Sequence, residues 1–166
     1  MKGVHRTLFW LFAFATVAIA PNAVADLPAP QGAVVDGWQL SLTASPGPYS
    51  QGADIPLHLS VKNVSERSRI LAAPSAPCVF HVLVKRADGT MLTRHPAGCY
   101  NFYNTSDRSV SPNGSFNIEL SLGQYVTLRD PGDYLVSEVG ILDEDSNRKP
   151  ESVPVQSNWV EISIAR

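Results

Sequence analysis

Two cysteines, Cys78 and Cys99, are the chain's only thiols, too few for a disulfide-stapled scaffold or a four-thiolate zinc module. No cluster of Lys or Arg breaks the near balance of 13 basic and 15 acidic residues. That excludes the concentrated positive charge with which a nucleic-acid binder displaces phosphate counterions. No apolar run reaches the roughly 20 residues that span a bilayer. Helical spacing of apolar residues and internal repeats are also missing, as are G-x-S-x-G, H-E-x-x-H and phosphate-cradling glycine loops. What remains is a 166-residue chain, 44% hydrophobic and 17% charged, which is a globular composition.

The first 25 residues read as a targeting segment. Lys2, His5 and Arg6 form a short cationic start, Leu8 to Ala20 is an apolar run of 13 positions, and Ala23-Val24-Ala25 supplies small residues for a signal peptidase. Arg6 stands alone, so there is no twin-arginine signal, and no cysteine follows closely enough to be lipidated. Cleavage after Ala25 leaves 11 Lys+Arg against 15 Asp+Glu and places the protein in the periplasm or outside the cell. No stable membrane anchor is expected. The remaining 141 residues suit one domain, which buries about 68% of its extended-chain surface. Asp26 to Asp36 is rich in Pro, Ala and Gly and reads as a flexible leader, with the folded domain at 37–166.

Beyond the leader the apolar pattern has period two. Trp38, Leu40 and Leu42 alternate with polar residues, as do Ile55, Leu57, Leu59 and Val61. Phe116, Ile118, Leu120 and Leu122 follow the same rule, and so do Val160, Ile162 and Ile164. Alternation marks half-buried strands. The runs Cys78 to Arg86 and Tyr134 to Leu142 are more continuously apolar and suit central strands. The predicted strands are 38–44, 55–63, 78–86, 91–95, 115–122, 133–142 and 158–164. Asp130-Pro131-Gly132-Asp133-Tyr134 leads into the 133–142 strand in the pattern D-x-G-x-Y. In immunoglobulin-like sandwiches a tyrosine at this place bonds back to the backbone just upstream, which assigns Asp130, Gly132 and Tyr134 to a tyrosine corner. The inter-sheet cysteine is replaced by Val136. The fold class is therefore all-β, an antiparallel immunoglobulin-like β-sandwich of about seven strands.

Asp88-Gly89 between two apolar runs predicts a two-residue hairpin. Ala87 then opposes Thr90, and the same register sets Cys78 across from Cys99 at a non-hydrogen-bonded site, where side chains lie closest. Pro96, opposite His81, demands a bulge or break, which still leaves the cysteines close. A disulfide follows in an exported protein, and closing its loop contributes about 3 kcal/mol.

Chemistry is sparse. His58, His81 and His95 are scattered through strands, and no Cys/His set has metal-ligand spacing. Asp143-Glu144-Asp145-Ser146-Asn147 starts like a calcium loop, but Arg148 stands where Gly is required and Pro154 where a bidentate Glu belongs. Neither a metal nor a cofactor is expected. Glu119 and Glu138 lie within strand patterns without an evident partner. Three Asn-x-Ser/Thr triplets begin at Asn63, Asn104 and Asn113. The long loops are the better candidates. Tyr100, Phe102 and Tyr103 stand beside short polar residues, Pro74 and Pro77 stiffen a second loop, and Asp143, Glu144 and Asp145 open a third. Aromatics among short polar residues are what binding loops use, and this fold gathers such loops at one end.

Four stretches occur in family-like order between Leu57 and Gly140. They are Leu59 to Ser65 (LSVKNVS), Phe80-His81-Val82 running into Asp88-Gly89, Ser111-Pro112-Asn113-Gly114, and Pro131-Gly132-Asp133-Tyr134. Together they resemble the BsuPI-type bacterial proteinase inhibitor domain. The resemblance implies an all-β sandwich that binds a peptidase without being one. The chain departs from the family in its export signal and two cysteines, and no reactive-site residues carry over.

The functional expectation is an exported, non-enzymatic domain that binds another protein, with inhibition of a peptidase or other enzyme as its most specific form. The alternative is a structural or accessory subunit of a cell-envelope assembly. A small hydrolase or metal carrier is a distant third. The cysteine pairing is checked by intact mass of the exported protein: reduction adds two hydrogens if Cys78 and Cys99 are joined, and leaves the mass unchanged if they are not.

Overall fold

The computed structural model describes residues 30–71, 80–92, 107–142 and 154–166. Among them the strands are β1 (Trp38–Ala44), β2 (Pro56–Asn63), β3 (Arg69–Leu71), β4 (Phe80–Arg86), β5 (Arg108–Val110), β6 (Ser115–Ser121), β7 (Gly132–Ile141), β8 (Pro154–Gln156) and β9 (Val160–Ile164). A short 3-10 turn, Leu122–Gln124, follows β6, and no α-helix occurs among the described residues. One sheet has the order β1-β2-β6; the other sets β4 on one side of β7 and β8 with β9 on the other; β3 and β5 pair separately. All of these pairings are antiparallel. Two strands from the start of the chain share a sheet with β6, while β4, β7 and the last strands form the other. That is the immunoglobulin arrangement.

The alternation seen in the sequence becomes the core. Trp38, Leu40 and Leu42 of β1, Leu57, Leu59 and Val61 of β2, and Ile118 and Leu120 of β6 face Phe80, Val82 and Val84 of β4, Val136 of β7 and Ile162 and Ile164 of β9. At the foot of β7 the Tyr134 hydroxyl donates to the Asp130 carbonyl oxygen over 2.8 Å, tying the crossing segment to the strand it feeds. The Arg86 guanidinium pairs with the Asp130 carboxylate at the same corner.

The outer edge of β1 is sealed residue by residue. Trp38 exchanges two backbone hydrogen bonds with Val35 across the tight turn at Asp36 and Gly37, both at positive φ. The Leu40 oxygen accepts from Gly32 N–H, and Gly32 lies so close to the Gln156 oxygen that a Cβ there would stand 2.2 Å from it. Residues 32–36 of the segment read as a flexible leader are thus hydrogen-bonded to the sheet. Beyond Ala44 the chain crosses to the second sheet through a cis Gly47–Pro48 bond, and Tyr49 pairs in parallel with Ile164.

Leu42 is sealed by a side chain. Val136 pairs with Val160, whereas Val139 pairs with Gln156. Two residues of β7, Ser137 and Glu138, therefore lie opposite three, Ser157, Asn158 and Trp159. This is a β-bulge, and it explains why β8 and β9 are one strand interrupted. The bulge turns Asn158 toward the first sheet. Its Oδ1 accepts the Leu42 N–H (2.8 Å) and its Nδ2 donates to the Leu42 oxygen (2.9 Å). One carboxamide thus supplies both halves of a strand pairing between the two sheets.

Four expectations need correction. The Asp88-Gly89 hairpin is in a different register: Arg86 N–H donates to Thr90 O, Leu92 N–H to Val84 O, and Lys85 faces Met91. Ala87 is therefore a loop residue and does not oppose Thr90. The loop takes three residues because Gly89, at φ +88°, supplies the left-handed position such a loop needs. The strand expected over 158–164 is Val160–Ile164, preceded by a separate short strand Pro154–Gln156, with the bulge residues 157–159 between them. The three-residue strands β3 and β5 are too short to show alternation and fell within predicted loops. Leu122, expected to end a strand, opens the 3-10 turn. Cys78 and Cys99 lie outside the described residues.

Replacing Asn158 by Ala strips the buried N–H and C=O of Leu42 of their partners. Urea unfolding should show a loss of about 2–4 kcal/mol, one desolvation penalty for each group.

Candidate partner-binding face

The candidate binding residues Tyr100, Phe102, Tyr103, Pro74, Pro77, Asp143, Glu144 and Asp145 also lie outside the described residues. The strand ends that bound their segments are described. Phe80 at the head of β4 faces Gly140, and Pro154 at the head of β8 faces Ile141. Asn63 at the end of β2 faces Trp38 at the head of β1 in the same sheet.

That end of the first sheet is stiffened by two buried polar residues. Asn63, wholly buried, donates from Nδ2 to the carbonyl oxygens of Arg67 (2.8 Å), Val110 (2.9 Å) and Ser111 (3.2 Å). Its Oδ1 accepts from Ser65 N–H and Oγ–H. So engaged, the first residue of the Asn63-Val64-Ser65 triplet is a structural asparagine, turned inward. Arg69 lays its guanidinium over the Trp38 ring, 5.1 Å from the centroid, and bonds the Asp36 carboxylate at 3.2 Å.

The outward faces of the two sheets differ. On β1, β2 and β6 the outward positions include Gln39, Ser41, Thr43, His58, Ser60, Lys62, Asn117 and Glu119, so that face is polar but for Pro56 at its end. On β4 and β7 they include Leu83, Leu135 and Val139, all half-buried. The bulge adds Trp159, whose ring carries the Lys85 ammonium 4.1 Å from its centroid. Met91, half-exposed, borders Lys85. Under the bulge, Ser137 Oγ contacts Ser157 O and Oγ at 3.2 Å, and Gln156 Nε2 donates to Ser137 Oγ. The contact of Trp159 with Lys85 is worth about 0.5–1 kcal/mol at an exposed site.

A cleft of about 630 Å³ opens at the opposite end, lined by Arg86, Leu92, Tyr125, Arg129, Asp130 and Tyr134 among others. Its one ion pair, Arg86 with Asp130, is internal to the tyrosine corner. Among the described residues no group of three or more His, Cys, Asp or Glu side chains could hold a metal. Next to the cleft's sheet, in the middle of β7, lies a different oddity. Glu138 is wholly buried, neither carboxyl oxygen has a hydrogen-bond partner, and burial pushes its carboxyl up to about 8.

Solved structures are similar to this chain at low sequence identity. The Northeast Structural Genomics Consortium target SoR45 is similar over 80% of this chain and 90% of its own, at 11% identity and a TM-score of 0.50. The C-terminal domain of wzt is similar over 78% of this chain and 74% of its own, at 14% identity and a TM-score of 0.46. The sporulation control protein Spo0M of Bacillus subtilis covers 80% of this chain at 9% identity and a TM-score of 0.45, and this chain spans about half of it (51%). Likeness at these identities concerns the fold alone. No protein-family model matches the chain, and no curated protein matches it in sequence.

Trp159, Leu135, Val139 and Glu138 were not singled out as functional by the sequence. The signal was the continuously apolar 134–142 run: in a sandwich, apolar residues at both parities mean that the outward face is apolar too. Glu138 falls on the inward parity of Tyr134 and Val136, which becomes visible once the register is fixed.

Proposed function

We propose that the chain is an exported, non-enzymatic binding domain whose target is another protein, and that inhibition of a peptidase or other enzyme is its specific form. The carrying observation is the contrast between the two sheet faces. One is polar but for Pro56; the other presents Leu83, Leu135 and Val139 beside His81 and Lys85, with the Lys85 ammonium over the Trp159 ring. An amphipathic aromatic loses little entropy on binding, which is why such residues dominate interface energetics. The long loops carrying Tyr100, Phe102 and Tyr103 provide a second contact, in keeping with the resemblance to BsuPI-type inhibitors.

The test is affinity capture by the C-terminally tagged full chain, expressed in its host, followed by activity assay of whatever enzyme is recovered. Titrating the chain against that enzyme should lower its activity. Leu135→Lys with Trp159→Ser, or Tyr100, Phe102 and Tyr103 replaced together by Ser, should abolish capture while stability falls by no more than about 1–2 kcal/mol. Undiminished capture by both variants contradicts the proposal. So does a partner that is a membrane assembly with no activity to inhibit.

A further inference from the structure

Glu138 has the least hospitable environment of any ionisable side chain described. It sits at the middle of β7, opposite Val82 of β4, with no exposed surface and with both carboxyl oxygens lacking hydrogen-bond partners. Its backbone is fixed to the bulge on the other side: Ser157 N–H donates to the Glu138 oxygen (2.8 Å), and Glu138 N–H donates to Ser157 Oγ (2.9 Å). The next residue along, Asn158, is the one that grips Leu42.

Among the described residues no counter-charge faces it. The inward positions of β1 are Trp38, Leu40 and Leu42; those of β2 are Leu57, Leu59, Val61 and Asn63; those of β6 include Ile118 and Leu120. On β9 they are Ile162 and Ile164. Among the described residues the charged or titratable groups in or against this core are five, Tyr125 after the 3-10 turn and Tyr49 beyond β1 among them. Arg69 of β3 is committed to Asp36 and the Trp38 ring, Arg86 at the far end of β4 to the Asp130 carboxylate, and Tyr134 to the Asp130 carbonyl. A carboxylate cannot remain ionised in such a place without drawing in water or a cation.

We propose that Glu138 is a proton-operated lock on the joint between the two sheets: protonated, it lies neutral beneath the bulge and the joint stays shut; ionised, it draws water in at residues 157–159 and the joint opens. The nearest break in the β7 ladder is the bulge itself, so hydration enters there and not through the regular pairing with β4. Opening at that point frees Asn158 from Leu42 and unseats Trp159. Desolvation is the whole cause of the raised proton affinity, with no neighbouring charge contributing. The folded chain holds this proton to higher pH than the unfolded chain does. The stability it represents is therefore complete below the ordinary carboxylate range and is lost as pH rises toward about 8.

The experiment is urea unfolding of the full chain from pH 5 to pH 9, beside Glu138→Gln. The ratio of the two unfolding constants, wild type over variant, should rise about tenfold per pH unit and level off above pH 8, since one proton is released. A ratio that stays constant with pH overturns the lock. Should Glu138→Gln fail to fold, carboxyl NMR of the wild type labelled with ¹³C-glutamate decides the matter. One glutamate resonance titrating well above the others supports the proposal, and all of them titrating in the ordinary carboxylate range overturns it.

Discussion

The structure depends on how two β-sheets with no shared backbone ladder are held edge to edge, and here the Asn158 carboxamide does it. β1 lies at the border of its sheet, with N–H and C=O groups pointing away from β2 along its whole length. Such a border is an invitation to pair with another chain. The molecule closes it from within: Val35 on Trp38, Gly32 on Leu40, Asn158 on Leu42, and then a crossing that lets Tyr49 join β9. Asn158 can reach only because one extra residue in the last strand rotates it out of its own sheet. The bulge is thus the joint on which the sandwich closes.

Concentrating polar groups at that joint has consequences for both sides of the β4–β7–β9 sheet. Outside, Ser137, Gln156 and Ser157 are hydrogen-bonded to one another beside Trp159, on a face that sets Leu83, Leu135 and Val139 among His81 and Lys85. Inside, Glu138 lies directly behind them with nothing to bond. Buried polar groups that are fully satisfied rigidify a core, and a single unsatisfied one makes it sensitive to conditions. This sheet contains both cases in adjacent residues, Ser137 and Glu138.

Much of this fold was legible in the sequence, for a physical reason. β1, β2, β6 and β9 each have one dry face and one wet face, so period-two alternation fixes their existence and their inward residues together. The Asp130–Tyr134 pattern gave the sandwich class, because only a strand entering after a corner places a tyrosine hydroxyl over the carbonyl four residues back. The rest failed where the information is not local. In β7 both parities are apolar, so neither the outward Leu135 and Val139 nor the inward Glu138 could be assigned a side. The bulge exists only as a mismatch between two registers, 136 with 160 and 139 with 156, and no residue in 157–159 announces it. Asp88-Gly89 serves a two-residue or a three-residue loop equally well, and the choice shifted the hairpin register by one. Of the candidate binding site, the segments with Tyr100, Phe102 and Tyr103 lie outside the described residues, while the sheet face became visible only in three dimensions.

The decisive measurement is amide hydrogen exchange at Leu42. If the Asn158 joint closes the sandwich, the Leu42 N–H should exchange as slowly as the amides of the β2–β6 ladder in the wild-type chain. In Asn158→Ala it should exchange orders of magnitude faster while that ladder keeps its protection. Fast exchange at Leu42 in the wild type, or protection that survives loss of the carboxamide, would show that the two sheets are held by their apolar faces alone.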